Sequence, residues 1–196
     1  MAPRGENLLV ILSSPSGVGK TTITKKLQQK YSNFKLSISH TTRPPRSNEV
    51  DGVDYHFVSK DQFKKLIKDN EFYEYAKIFE NYYGTRMKNV DQTLKKNDII
   101  FDIDWQGTKQ LSQFKNLNFI KIYLITHSKD ELKLRLLKRD ENTKEEVEKR
   151  FNSFDEDIKH WNDYDYILIN KNLETCFKQI EQIINTNKIK NSQFFS

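Results

Sequence analysis

The sequence predicts an α/β fold in which one mostly parallel sheet carries helices on both faces. Three observations lead there. Short apolar runs recur along the chain, as in residues 8–12 (LLVIL), 98–104 (DIIFDID) and 119–125 (FIKIYLI). Stretches with apolar residues at three- and four-residue spacing separate them, and alternation of the two patterns is the signature of strands joined by crossover helices. The first run also feeds straight into a glycine-containing turn, as a strand buried on both faces does before a helix. At 196 residues the chain can bury one good core with small insertions but is short for two full domains. Hydrophobic residues make up 36%, charged residues 31%, and the mean hydropathy is −0.81. The apolar residues must therefore be concentrated in a few strands and helix faces.

The elements follow in order. After the strand at 8–12, Ile23, Leu27 and Tyr31 repeat every fourth residue and predict a helix over 20–31. Residues 35–39 (KLSIS) and 54–59 (DYHFVS) read as short strands. Residues 59–72 begin with Ser59 as an N-cap and put Phe63, Leu66 and Ile67 on one side of a short helix. The later chain alternates strand 98–104, helix 105–114, strand 119–125, helices 129–140 and 143–161, strand 165–170 and helix 172–186. The tail 187–196 (NKIKNSQFFS) is expected to be loosely held.

Composition removes several function classes. The net charge of +6 would suit nucleic acid, an anionic surface or a polyphosphate ligand, but the lysines are spread through amphipathic helical patterns and no nucleic-acid motif accompanies them. The single cysteine, Cys176, has no disulfide partner and no metal-ligand companions. His40, His56, His127 and His160 show no metal-ligand spacing. The apolar stretch at 7–14 is too short for a signal peptide or a membrane span. A soluble, cytoplasmic protein without nucleic-acid or membrane partners is expected, as a monomer or a homodimer.

Residues 13–22, SSPSGVGKTT, match a phosphate-binding loop, G-x-x-x-x-G-K-[ST], except that Ser14 stands at the first glycine. Strand, glycine turn and helix occur in the order such a cradle needs. Gly17 and Gly19 let successive backbone N–H groups wrap a phosphate, Lys20 reaches the β- and γ-phosphates, and the Thr21 hydroxyl ligates Mg2+. The ATP-binding set is then Ser14, Pro15, Ser16, Gly17, Val18, Gly19, Lys20, Thr21 and Thr22, and Ser14 is expected to take up the backbone angles the missing glycine would supply.

A second constellation concerns the acceptor. Pro44 and Pro45 favour polyproline geometry at three residues per turn, which puts Arg43 and Arg46 on one face as a clamp for a monophosphate. Glu74, Tyr83 and Thr85 add a carboxylate, a phenol and a hydroxyl. Asp102 and Asp104 are expected on one face of the strand 98–104.

The ordered series SPSGVGKT, SHTTRPPRxxExxGxxY, EFYEY, NYYGT and DIDWQG resembles guanylate kinase, from about residue 7 to residue 187. The resemblance implies transfer of the γ-phosphoryl group of ATP to GMP, with dGMP as a further acceptor and Mg2+ as cofactor. It implies a GMP phosphate held by Arg43, Arg46, Tyr55 and Tyr83, with Glu49 orienting the arginines, and a guanine read by Ser39, Glu74, Thr85 and Asp104. It puts Asp102 near the metal and Asn170 near adenine. Guanine chemistry agrees: its N1–H and exocyclic amine are donors that suit carboxylates, whereas adenine would leave buried carboxylates unpaired.

Arg135 and Arg139 lie four apart on one helical face, with Arg150 beyond a polar connection. The resemblance matches them to lid arginines that close on the transferring phosphoryl group, a catalytic role shared with Lys20 and Arg43. Asp157 stands where the family often has a glutamate. The expected organisation is a core (7–35, 93–129, 159–187), a GMP-binding region (36–92) and a lid (130–158). The competing readings are a non-catalytic module of the same fold, a kinase for another nucleoside monophosphate, and a basic nucleic-acid-binding protein.

Overall fold

The structure, a computed structural model, describes residues 7–117, 119–138 and 143–194. Its main sheet contains β1 (Leu9–Ser13), β2 (Phe34–Leu36), β7 (Asp98–Asp102), β8 (Phe119–Ile125) and β9 (Tyr166–Ile169), all parallel, in the order β2-β7-β1-β8-β9. The central β1 is buried at every position, as its unbroken apolar run requires. On one face Val10, Leu12, Ile100 and Ile122 pack against Ile23 and Leu27 of α1 (Lys20–Lys30) and Phe177, Ile180 and Ile184 of α7 (Leu173–Phe194). On the other, Leu9, Ile11, Ile99 and Phe101 meet Val90 and Leu94 of α3 (Met87–Leu94) and Leu111 of α4 (Trp105–Leu111). Each fully buried aliphatic side chain contributes about 1.5–3 kcal/mol, so this two-faced burial holds rigid the strand ends that carry the site.

Between β2 and α3 the chain builds a second sheet from β3 (His40–Thr41), β4 (His56–Phe57), β5 (Phe72–Ile78) and β6 (Asn81–Arg86), ordered β4-β3-β6-β5. Helix α2 (Lys60–Lys68) closes over it. Ser59 and Gln62 form a reciprocal capping box, and Phe63 stacks on Phe72 and Tyr82 with ring centroids 4.6 and 5.4 Å apart. After β8, α5 (Lys129–Leu137) starts from Ser128, whose hydroxyl accepts from the Glu131 N–H, and α6 (Lys144–Asp157) lies against it. Among the described residues no helix is long and apolar enough to cross a membrane.

Several expectations are corrected. The strand at 98–104 stops at Asp102; Asp104 is the N-cap of α4, accepting from the Gly107 N–H at 3.0 Å, so the two aspartates do not share a strand face. An aspartate that can satisfy free helix N–H groups favours a cap over another strand residue. The helix at 143–161 gives way after Asp157 to a 3-10 segment, Ile158–Asp163. The strands at 35–39 and 54–59 shrink to three and two residues. The tail is also better held than expected: α7 continues to Phe194, and Lys188 Nζ pairs with buried Asp98 at 2.5 Å. The β5–β6 hairpin went unread. Its burial does not alternate cleanly, a bulge separates Phe72 from Glu74, and its turn places Phe79 at φ +52° without the usual glycine or asparagine.

Candidate active site

The phosphate-loop sequence forms the turn between β1 and α1. Gly17 and Gly19 have φ of +90° and +104°, in the left-handed region that side chains avoid. Gly19 occupies the N-cap position and provides no side-chain cap, which leaves the N–H groups of the first turn of α1 available to an anion. Ser14 is outside the left-handed region, and its hydroxyl donates to the Pro15 carbonyl at 2.9 Å. The expectation that Ser14 must adopt glycine-like angles is therefore corrected: this position does not require glycine. Ser14→Gly is expected to leave turnover unchanged while costing about 0.4–1 kcal/mol of stability through the freer unfolded chain. Steady-state assays with thermal unfolding check this, and a gain in turnover would contradict it.

The loop is braced from behind. The Val18 carbonyl accepts from Asn170 Nδ2 at 2.7 Å and from Arg135 Nη1 at 2.9 Å, while Arg135 Nη2 reaches the Asn170 carbonyl at 2.8 Å and Glu131 at 2.6 Å. Asn170 Oδ1 is buried and has no hydrogen-bond partner. From α6, Arg150 Nη1 donates to Ser16 Oγ at 2.8 Å. Arg139 lies outside the described residues.

Lys20 extends across the cleft to the end of β7, where Nζ lies 2.9 Å from Asp102 Oδ1 and donates to the Ile103 carbonyl at 3.1 Å. Thr21 is exposed at the start of α1. Among the described residues no group of three or more His, Cys, Asp or Glu could hold a metal. The nearby donors are hard oxygens on Thr21 and Asp102. Such a sparse set fits Mg2+, which keeps several waters and takes its remaining ligands from phosphate, better than a cation held in a full protein cage.

On the other side of the cleft Glu49 organises the basic side chains. Its carboxylate accepts from Arg43 Nη2 at 2.7 and 2.8 Å and from the Arg46 N–H at 2.8 Å, with Arg46 Nη1 at 3.7 Å. Burial works against the Glu49 charge, but the Arg43 and Arg46 bonds outweigh it and hold the carboxyl below the usual range. The Arg43 guanidinium sits 5.5 Å from the Tyr55 ring centre, and Tyr55 and Tyr83 meet edge to face. Burial, with Asp102 next, raises the Tyr55 phenol, which stays protonated as a donor.

Deeper in, Glu74 projects from β5 and is 3% exposed. Thr85 lies opposite it on β6, its Oγ1 3.3 Å from Ser39 Oγ, yet Glu74 Oε1 has no partner. Burial, with help from Asp104, pushes the Glu74 carboxyl up to about 7 against the influence of Thr85. A buried acceptor left open is costly unless a donor arrives, and this one points to a ligand rich in N–H groups.

These groups share one cavity of about 460 Å³. Ser14 to Thr21, Ser39, Arg43, Arg46, Tyr55, Glu74, Tyr83, Asp102, Asp104 and Arg150 line it, whereas Glu49, Thr85, Arg135 and Asn170 stand behind residues that do, and Thr22 follows in the first turn of α1. The sequence did not single out Trp105, Gln106, Ser153 or residues 77–79, which also face the cavity. Asp157 faces it too, with Ser153 Oγ 3.5 Å from its carboxylate. Trp105 carried no sequence signal, because its stack on His160 is made only by the fold.

A profile described as guanylate kinase matches residues 6–187. A guanylate kinase of Zymomonas mobilis is 44% identical over 97% of this chain and 88% of its own length. Those of Rickettsia prowazekii and Clostridioides difficile are 43% and 42% identical, over 96% of this chain in both cases and 95% and 92% of their own lengths. The crystal structure of guanylate kinase from Anaplasma phagocytophilum superposes with a TM-score of 0.77 at 30% identity, covering 93% of this chain and 86% of that one. With a match that runs through the loop, the second sheet and the helices bordering the cleft, the chain belongs to the guanylate kinase family.

Proposed function

We propose that the cleft transfers the γ-phosphoryl group of ATP to GMP, giving ADP and GDP, with ATP held by the phosphate loop and GMP by the second sheet. The observation that carries this is the sharing of one cavity by a glycine-lined anion cradle and a buried carboxylate with an open acceptor. In this assignment residues 36–92 are the GMP-binding region and 130–158 the lid. Arg43, Arg46, Tyr55 and Tyr83 hold the GMP phosphate, with Glu49 fixing the two arginines. Glu74 and Asp104 accept from the guanine N1–H and amine, and Ser39 and Thr85 complete the base pocket. Asn170, which braces the loop from behind through Val18 and whose Oδ1 lacks a donor, is assigned to the adenine side from the sequence resemblance.

The chemistry needs positioning and charge stabilisation more than proton transfer, because the attacking GMP phosphate oxygen is already anionic. That oxygen forms a bond to the γ-phosphorus while the bond to the ADP oxygen breaks. Lys20 and the α1 N–H groups neutralise the charge on the donor phosphates, Arg43 holds the acceptor in line, and Arg150 closes the donor side, with Arg135, which braces the loop from behind, and Arg139 assigned to the lid from sequence alone. Mg2+, held through Thr21 and Asp102, would supply further neutralisation of the phosphates. The pairing of Lys20 with Asp102 suits this: each has its charge balanced until phosphate and cation take over both partners.

The test is ADP formation from MgATP over GMP, dGMP, AMP, CMP, UMP and dTMP. Turnover confined to GMP and dGMP is expected, since a pocket built to receive base N–H donors rejects analogues lacking them by about 10⁴-fold or more. Equal turnover with AMP would remove Glu74 and Asp104 from base recognition.

A further inference from the structure

The second sheet ends on β5, whose outer edge has no neighbouring strand. An edge strand leaves backbone N–H and C=O groups without partners, and folded chains cover or blunt such edges. Here one side chain does so at one residue. Gln110, near the end of α4, accepts from the Tyr75 N–H through Oε1 at 3.0 Å and donates from Nε2 to the Tyr75 carbonyl at 2.7 Å. The amide thus takes the place of a strand neighbour for Tyr75, the residue next to Glu74. Nε2 also lies 3.3 Å from the Gln106 carbonyl, which keeps the side chain along its own helix.

Three residues earlier, on the same face of α4, stands Gly107. A Cβ there would lie 2.6 Å from Glu74 Oε2 and 3.1 Å from its carboxyl carbon, so the Glu74 carboxylate rests against bare helix backbone. The Gly107 N–H donates to Asp104 Oδ1 at 3.0 Å. One turn of α4 therefore places both carboxylates: Asp104 as its cap, and Glu74 through the docking of β5 on it. The ladder to β6 fixes β5 within its own sheet but does not fix that sheet against α4. Apolar packing favours the docking, as where Tyr73 meets Phe114 with ring centroids 4.9 Å apart, but apolar contact is non-directional. A slide of the sheet by one residue would carry Glu74 about 3.4 Å from its seat. The paired bonds from Gln110 to a single residue oppose that slide.

We propose that Gln110 is a positioning residue for purine selection: its amide seats the second sheet on α4 so that Glu74 and Asp104 together reach the N1–H and the exocyclic amine of guanine. The inference rests on the placement of GMP proposed above. Gln110 is not among the residues that line the cavity, so it acts through Glu74. IMP is the same purine nucleotide without the 2-amine and offers only the N1–H. The preference for GMP over IMP therefore measures whether both acceptors are in reach at once.

The test is steady-state ADP formation by the full chain with GMP and with IMP, alongside thermal unfolding. The wild type is expected to favour GMP over IMP by about 10²-fold or more in kcat/KM. Gln110→Met keeps the length and packing of the side chain and removes both bonds to Tyr75. It should raise KM for GMP about 10-fold with kcat nearly unchanged, the sign of lost substrate binding, and leave KM for ATP as it was. The preference for GMP over IMP should fall by about 10-fold, because a displaced acceptor no longer meets the amine. A side chain that merely stabilised the fold would shift Tm and leave that preference intact. Gln110→Ala, a good helix former, reads the same quantity should the Met variant not fold. A wild-type preference in either folded variant overturns the positioning role and leaves the site assignment standing. A wild type that uses IMP as readily as GMP overturns the guanine assignment and the positioning role with it.

Discussion

Replacing Lys20 by Ala is expected to lower kcat/KM by about 10³-fold or more, the scale seen when a preorganised cation is removed from a transferring phosphoryl group. Lys20 spans the phosphate loop and the end of β7, so its ammonium has two local partners, Asp102 and the Ile103 carbonyl. Neither is buried enough to make the lysine a stability element: the Lys20 and Asp102 side chains keep 18% and 24% of their exposure, and the carboxylate left behind remains hydrated. Such pairs contribute about 0–1 kcal/mol. The variant should therefore unfold near the wild-type temperature while its turnover collapses. Thermal unfolding with a coupled ADP assay separates the two effects, and a folded variant with wild-type turnover would remove Lys20 from the chemistry.

What could be read from the chain without its fold was local chemistry in a local context. The phosphate loop was legible because strand, glycine turn and helix are adjacent in sequence, and the left-handed angles of Gly17 and Gly19 are what that pattern demands. Ser14 was misjudged because the pattern does not say which glycine is needed for its backbone and which is replaceable. Asp104 was misplaced by extending strand periodicity past the point where a helix cap takes over. The β5–β6 hairpin lacked turn residues that announce it, so Glu74 was recognised by resemblance while the strand that buries it was not. His160 was passed over as ordinary, since a histidine in a charged helix shows nothing until a tryptophan from another element is laid on it. Residues that bind from loops and caps are visible to pattern. Those that connect distant elements are products of packing.

Glu74→Gln is expected to lower GMP kcat/KM by about 10²-fold, leaving the KM for ATP nearly unchanged, and to remove a pH dependence that the wild type should show. The open Oε1 and the charge favour two donors from guanine, whereas glutamine presents an N–H₂ of its own to a donor-rich base edge, an exchange that loses a charge-assisted bond and leaves groups unpaired. The wild-type carboxyl, pushed up to about 7 by burial, is increasingly protonated below that pH in the empty site. GMP selects the ionised form, so KM for GMP should rise as pH falls below about 7, and this rise should be absent in the variant. Folding stability moves in the opposite direction. Between 4.5, where the unfolded carboxyl titrates, and about 7, the unfolded chain gives up a proton that the folded, empty protein keeps. Stability from this group is therefore lost as pH rises through that window, because the folded, empty protein binds more protons there than the unfolded chain. At pH 8 the glutamine variant should consequently melt above the wild type in the absence of GMP and lose that advantage when GMP is added, because bound guanine restores to the carboxylate the donors its burial withholds. Equal melting temperatures at pH 8, together with a flat KM profile in the wild type, would show that Glu74 ionises freely in the empty cleft and is not held for the base.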